Sequence, residues 1–162
     1  MYHYTQCGLD NIWLLNGYHE EDLGEYGATV VVERADELER VIALHLAKQE
    51  RPLTGQEFRF LRVMLDLSQT SIGRRLGKDY QTVARWEADT HKAVPRFADA
   101  SIRARYLESI GERPLFTQIE DRLAEIAAAV GKGSLAKAKL AFEERPGGQW
   151  SSKQVKESEL IG

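Results

Sequence analysis

Apolar residues recur along this chain at two different periods, and the two halves of the sequence predict different elements. Within residues 1–33, Asn11-Ile12-Trp13-Leu14-Leu15 and Ala28-Thr29-Val30-Val31-Val32 are short apolar runs, the second one β-branched, bounded by Asn16-Gly17, Gly24 and Gly27. Such runs predict strands, and Asn-Gly is the pair best able to take positive φ at both centres of a tight hairpin turn. The expectation is a hairpin whose return passes through the polar stretch His19 to Asp22, followed by a better strand over Ala28 to Val32. Asp36 with Glu39 three residues on has the form of a capping box, and Leu38, Val41, Ile42 and His45 then recur at helical spacing as far as about Glu50. Arg51-Pro52-Leu53 reads as a short linker, because the residue before a proline is pushed out of the α region.

From Thr54 the period is helical. Thr54 suits the cap of a helix whose apolar stripe is Phe58, Leu61 and Leu65. Pro95 fits the first turn of another helix, with Ala98, Ile102 and Tyr106 four apart on one face. Thr117 and Glu120 repeat the capping-box pattern before Ile119, Leu123, Ile126 and Val130, with Gly131 as the stop. The tail from Glu143 is polar and rich in breakers, which predicts a mobile segment. The expected fold class is therefore mainly α. It comprises a small β/α N-terminal unit over 1–50, a five-helix-type domain over 54–110, a helical extension over 111–142 and a tail over 143–162.

The segment that carries chemistry runs from Leu67 to Glu87. Ser68 is a good cap for a helix of about eight residues ending at Leu76, and Gly77 is a suitable left-handed stop. Asp79 then caps the next helix, so that two helices are joined by a turn of about three residues. Ile72, Leu76, Val83 and Trp86 give each helix one inward face, and Gly73 lies where the second helix must cross the first. Outward on the second helix remain Tyr80, Gln81, Ala84 and Arg85, of which Gln and Arg suit bidentate contacts with adenine and guanine edges. Gln69, at the first helix's N-terminus, is placed for a phosphate contact.

This segment resembles the helix-turn-helix of the Cro and phage-repressor (XRE-like) regulators, which carry a Ser-Gln start, a small mid-helix residue, Leu-Gly at the turn and a Thr-Val-x-Arg-Trp-Glu end. The resemblance covers Thr54 to Ile110 and implies a sequence-specific double-stranded DNA-binding regulator of transcription, in the first place a repressor. It further implies that Tyr80, Gln81, Ala84 and Arg85 face bases while Gln69, Thr82 and Lys92 face phosphates. Lys78 stands where that family has an apolar turn residue, which loosens the turn or adds a phosphate contact. The arrangement of a small N-terminal domain before such a motif also resembles MqsA-like antitoxins. That likeness implies an alternative role, a toxin-binding inhibitor that autoregulates its operon. Those proteins bear a zinc ribbon with paired cysteines, whereas this chain keeps Cys7 alone.

Charge sharpens the division of labour. The net charge is −3, but residues 1–53 carry 4 Lys/Arg against 10 Asp/Glu, residues 54–110 carry 10 against 7, and residues 111–162 carry 8 against 8. Phosphate affinity depends on local cations, so the middle third is the segment suited to nucleic acid and the acidic first third the one suited to a basic protein partner. A homodimer is expected on operator DNA, because one recognition helix gives little specificity. One cysteine forms no internal disulfide, and His3, Cys7 and His19 match no metal-ligand spacing, so neither metal nor cofactor is expected. With no nucleophile motif, no phosphate-cradling loop and no membrane-length apolar run, an enzyme and a membrane protein are both disfavoured and a cytoplasmic location is expected. The bland alternative for the motif is a plain helical hairpin, in which Trp86 is core, Glu87 pairs with a nearby Arg, Tyr80 packs against the domain, and Arg74-Arg75 is a solvated face.

Overall fold

The computed structural model describes residues 1–112, 123, 124, 126 and 139–160. The helix expected from Thr117 to Gly131 lies outside the described residues, save Leu123, Ala124 and Ile126. Contacts divide the chain into two units, one of residues 1–42 with 139–162 and the other of residues 43–138.

The first unit is built on strands β1 (Tyr2–Tyr4), β2 (Ile12–Leu14), β3 (Tyr18–Asp22), β4 (Ala28–Val32), β5 (Leu140–Arg145) and β6 (Gln149–Lys153), and on the start of helix α1 (Ala35–Lys48). Four of the strands form one sheet in the order β1-β2-β5-β6, and β3 with β4 forms a separate two-stranded ribbon. β1 pairs antiparallel with β2, placing Tyr4 opposite Ile12, and β2 pairs parallel with β5, placing Leu14 opposite Phe142. Ile12 and Leu14 are buried while Trp13 between them is half-buried, the alternation of a strand with one face inward. Tyr4, Phe142 and Trp150 are buried in the same unit with Leu38 and Ile42 of α1, and the Tyr4 hydroxyl bonds Glu39 at 3.3 Å. Full burial of a side chain such as Phe142 contributes about 1.5–3 kcal/mol.

This arrangement corrects the expected fold class: the chain is α/β, not mainly α. The segment from Glu143 is no loose tail. Its breakers Pro146-Gly147-Gly148 are the turn of the β5–β6 hairpin, closed by the Gly148 amide on the Arg145 carbonyl at 2.9 Å, and Trp150 beyond them is buried. Asn16-Gly17 also does something other than fold β2 back on itself. β3 pairs with β4 instead, Tyr18 opposite Val32, and the Asn16 amide grips the backbone of Glu144, donating to its carbonyl at 3.2 Å and accepting from its N–H at 2.6 Å. The Asn-Gly pair thus turns the chain out of the sheet.

The second unit holds the rest of α1, then α2 (Gly55–Met64), α3 (Gln69–Leu76), α4 (Tyr80–Ala88) and α5 (Arg96–Ser109). Arg51-Pro52-Leu53 is no free linker: Pro52 and Leu53 are buried, and the Leu53 backbone donates to Asp99 at 2.6 Å and accepts from Val94 at 3.0 Å. Two buried carboxylates organise this stretch. Glu57 takes the Thr54 amide at 3.0 Å and its hydroxyl at 3.1 Å while pairing with Arg51, and Asp99 pairs with Arg103. Arg103 also reaches the carbonyls of Gln49 and Arg51. A buried charge is tolerable only when its hydrogen-bonding capacity is filled, and each carboxylate here is filled by an arginine together with one backbone N–H. Phe58, Leu61, Ala98, Ile102 and Tyr106 are buried around them, and Leu65 is half-buried at the α2 C-terminus.

Candidate nucleic-acid interface

The pair α3–α4 is built from local signals that all favour one geometry. Ser68 has extended φ/ψ and its hydroxyl accepts from the Ser71 amide at 3.0 Å, which starts α3. Gly77 ends it with φ 70° and ψ 28°, a left-handed conformation that any side chain would strain. Asp79 then accepts from the Thr82 amide at 2.8 Å and starts α4. That hydrogen bond is also the chief reason the Asp79 carboxyl ionises below its usual range. Gly77, Lys78 and Asp79 are the whole connection. At Gly73 the helices approach so closely that a Cβ would lie 2.7 Å from the Lys78 carbonyl oxygen and 3.3 Å from that of Asp79. Ile72 and Val83 are buried at this crossing, and Leu76 is half-buried.

Glu87 fixes α4 to two other helices. Arg62 of α2 grips it with two parallel bonds, Nε to Oε2 at 2.7 Å and Nη2 to Oε1 at 2.8 Å, and its remaining nitrogen Nη1 donates to the Leu67 carbonyl at 2.9 Å. Gln69 of α3 donates to the same carboxylate at 3.1 Å, and Arg59 stands 4.0 Å away. Bidentate, desolvated pairs of this kind fix orientation as well as contributing energy. Trp86 is half-buried, edge-on to Phe58 at 5.9 Å and to Phe97 at 5.8 Å between ring centroids.

The face that α4 leaves outward consists of Tyr80 and Ala84, one turn apart, with Gln81 and Arg85 beside them. Tyr80 is 53% exposed and Gln81 and Arg85 are exposed; Ala84 is half-buried. Arg85 is steadied by a bond to the Thr82 hydroxyl at 3.3 Å. Lys78 sits with its ammonium 5.7 Å above the Phe97 ring, a cation–π contact that ties the α3–α4 turn to α5. Lys92 is exposed in the turn after α4, its carbonyl taking the Gly55 amide at 3.0 Å. Beside it an open cleft of about 750 Å³ is lined by Trp86, Asp89, Lys92, Val94, Pro95 and Arg96, so that two cations stand at the exit of α4.

Of the residues assigned from the sequence to bases, Tyr80, Gln81 and Arg85 are exposed on α4 and Ala84 is half-buried there. Of those assigned to phosphates, Lys78 and Lys92 are exposed in the turns before and after α4, Thr82 is half-buried on α4 itself, and Gln69 is half-buried on α3 with its amide donating to Glu87. The sequence missed the convergence of Arg62, Gln69 and Arg59 on Glu87. Only the pairing of Glu87 with some arginine was legible. Arg75 folds back on Ser71, donating to its carbonyl at 3.1 Å, while Arg74 is exposed. His3, Cys7 and His19 of the first unit have separate surroundings. His3 stacks on Trp13 at 4.6 Å and bonds the Asp10 carbonyl at 2.6 Å, His19 lies between Glu21 and Glu33, and burial pushes the Cys7 thiol up to about 11. No group of three or more metal-ligating side chains occurs among the described residues, nor a helix long and apolar enough to cross a membrane. Compared with family models, curated proteins and solved structures, the chain matches none.

Proposed function

We propose that this protein is a sequence-specific double-stranded DNA-binding regulator of transcription, with α4 as the helix that enters the major groove. The observation that carries this reading is the α3–α4 crossing. The pair is capped at both starts, turned in three residues and closed to backbone contact at Gly73, and it turns Tyr80, Gln81 and Arg85 outward from one rigid helix. A solvated hairpin has no need of so close an approach, nor of a carboxylate shared among α2, α3 and α4. Gln81 and Arg85 supply donors and acceptors that match adenine and guanine edges. Lys78, Thr82, Gln69 and Lys92 lie around them as phosphate contacts, with Arg59, Arg74 and Arg96 adding local positive charge to a chain that is acidic as a whole. Such a helix reads few base pairs, so binding as a dimer to paired half-sites follows, and repression by occupying an operator is the simplest outcome.

Selection of binding sites from random duplex DNA tests this directly. A short enriched motif is expected, and Arg85→Ala should weaken binding to it by about 1–3 kcal/mol while relaxing preference at one base pair, a guanine. Failure to enrich any motif refutes the function. An unchanged base preference in the variant refutes the role of Arg85 alone.

A further inference from the structure

The ribbon β3–β4 has no part in the DNA-binding reading, and its hydrogen-bonding phase shows which of its backbone groups are free. The Glu33 amide donates to Gly17 at 2.8 Å and the Leu23 amide to Gly27 at 2.7 Å. In the antiparallel alternation, His19–Val31 and Glu21–Thr29 are then the pairs that exchange bonds inside the ribbon. Tyr18, Glu20 and Asp22 therefore turn their N–H and C=O outward along the open edge of β3. Ala28, Val30 and Val32 do the same along β4. Neither strand has a second neighbour among the described residues, and a two-stranded ribbon is marginal without a third strand or a packed face.

The two edges differ in chemistry. Along β3 and the turn after it stand Glu20, Glu21, Asp22 and Glu25, whereas β4 carries no charge. Glu21 is occupied by His19, but Glu20 and Glu25 meet no cation among the described residues. These carboxylates are strung along a strand and do not converge on a metal-binding cluster. Glu20 and Asp22, two residues apart, share one face at a spacing of roughly 6.6 Å, the repeat of alternate side chains on an extended neighbour. At the end of the ribbon Tyr26 is 90% exposed and Leu23 48% exposed, apolar surface of the kind that anchors interfaces and that a merely solubilising loop lacks.

We propose that the open edge of β3 receives an extended segment of a partner protein bearing Lys or Arg at alternate positions, added as a third strand, with Leu23 and Tyr26 packing against its end. Main-chain bonds to Tyr18, Glu20 and Asp22 supply the affinity, and the carboxylates set the sign of the partner's charge. A second copy adding through its own β3 is not the occupant, because two β3 edges would set Glu20 and Asp22 against like charges, and one adding through the uncharged β4 would leave these carboxylates without a cation.

The probe is a fluorescent eight-residue peptide of alternating Lys and Val, titrated into the full-length protein and followed by anisotropy and by amide chemical shifts. Saturable binding is expected, with the largest shifts at Tyr18, Glu20 and Asp22. It should weaken about tenfold or more for the same peptide N-methylated at alternate amides, which keeps the charge but cannot complete the ladder. The double variant Glu20→Lys/Asp22→Lys should lose a similar factor, and the gentler Glu20→Gln a smaller one, with the β3–β4 amide pattern intact. No saturable binding overturns the proposal. Equal binding by the N-methylated peptide overturns the strand addition, and shifts confined to other surfaces overturn the location.

Discussion

Glu87 offers the most demanding test of how the α2–α3–α4 core is held. Its side chain is 4% exposed and that of Arg62 12%, so the two charges are nearly desolvated and joined by two bonds of 2.7 and 2.8 Å. Removing one member of such a pair strands the other, at about 3–5 kcal/mol. Arg62 keeps the Leu67 carbonyl and Glu87 keeps Gln69, which places each single loss near the lower end. Glu87→Leu and Arg62→Met should therefore each cost about 3 kcal/mol. Together they put apolar groups of similar volume face to face, and the double variant should lose less than about 2 kcal/mol, well short of the sum. Urea unfolding followed by far-UV circular dichroism measures this. With a slope of about 2 kcal/mol per molar, each single variant moves the midpoint by about 1.5 M and the double variant by less than about 1 M. Strictly additive losses would show that the pair is not coupled. Losses below about 1 kcal/mol in the single variants would show that water reaches Glu87 far more freely than the packing implies.

Three further outcomes follow from the geometry. Gly73→Val should destabilise by at least the 1–3 kcal/mol typical of overpacking, because the obstructing atom is a backbone oxygen at 2.7 Å that has no flexible end to move; a thermal midpoint within 1 °C or so of wild type refutes the close crossing. Lys92→Ala should weaken binding to all DNA sequences alike and reduce the log–log salt slope by about one unit, and an unaltered slope removes Lys92 from the phosphate contacts. Imidazole NMR titrations should move two histidines in opposite directions. Hydrogen bonding to Glu21, reinforced by Glu33, raises His19 above 6.5, so its contribution to stability is full below that pH and disappears as pH rises through the higher folded midpoint. Burial, with Arg51 nearby, lowers His45 below 6.5, so its contribution is present above 6.5 and disappears as pH falls through the lower folded midpoint. Midpoints displaced the same way would contradict one of the two environments.

What the sequence revealed and what it hid divide by range. Ser68, Gly73, Gly77 and Asp79 act on partners within about six residues, so that caps, turn and crossing are legible without knowing the rest of the fold. The sheet depends on partners too far apart for any local pattern to reveal. Asn16 and Glu144, which bond each other, stand 128 residues apart. Seen alone, Phe142 and Trp150 are two apolar residues in a polar stretch, and Pro146-Gly147-Gly148 signals a break in order as readily as the turn that it forms. On the candidate interface, the outward face of α4 followed from its period, whereas the seat of Lys78 on Phe97 did not. A ring on α5 cannot be assigned to the α3–α4 turn until the helices are packed.

The parallel pairing of β2 with β5 has a consequence for the life of the chain on the ribosome. Synthesis runs at about 5–20 residues per second, so β2 emerges roughly 6–25 s before the strand that covers its edge. During that interval residues 43–138, including the whole α3–α4 pair, leave the exit tunnel while Ile12 and Leu14 still lack Leu140 and Phe142 as neighbours. A polypeptide cut short by premature termination anywhere before residue 139 would carry the α3–α4 pair behind an unfinished sheet, with an apolar strand edge open to chaperones and proteases. The β1-β2-β5-β6 sheet thus closes only after residues 140–153 have been made, later than every residue of the α3–α4 pair.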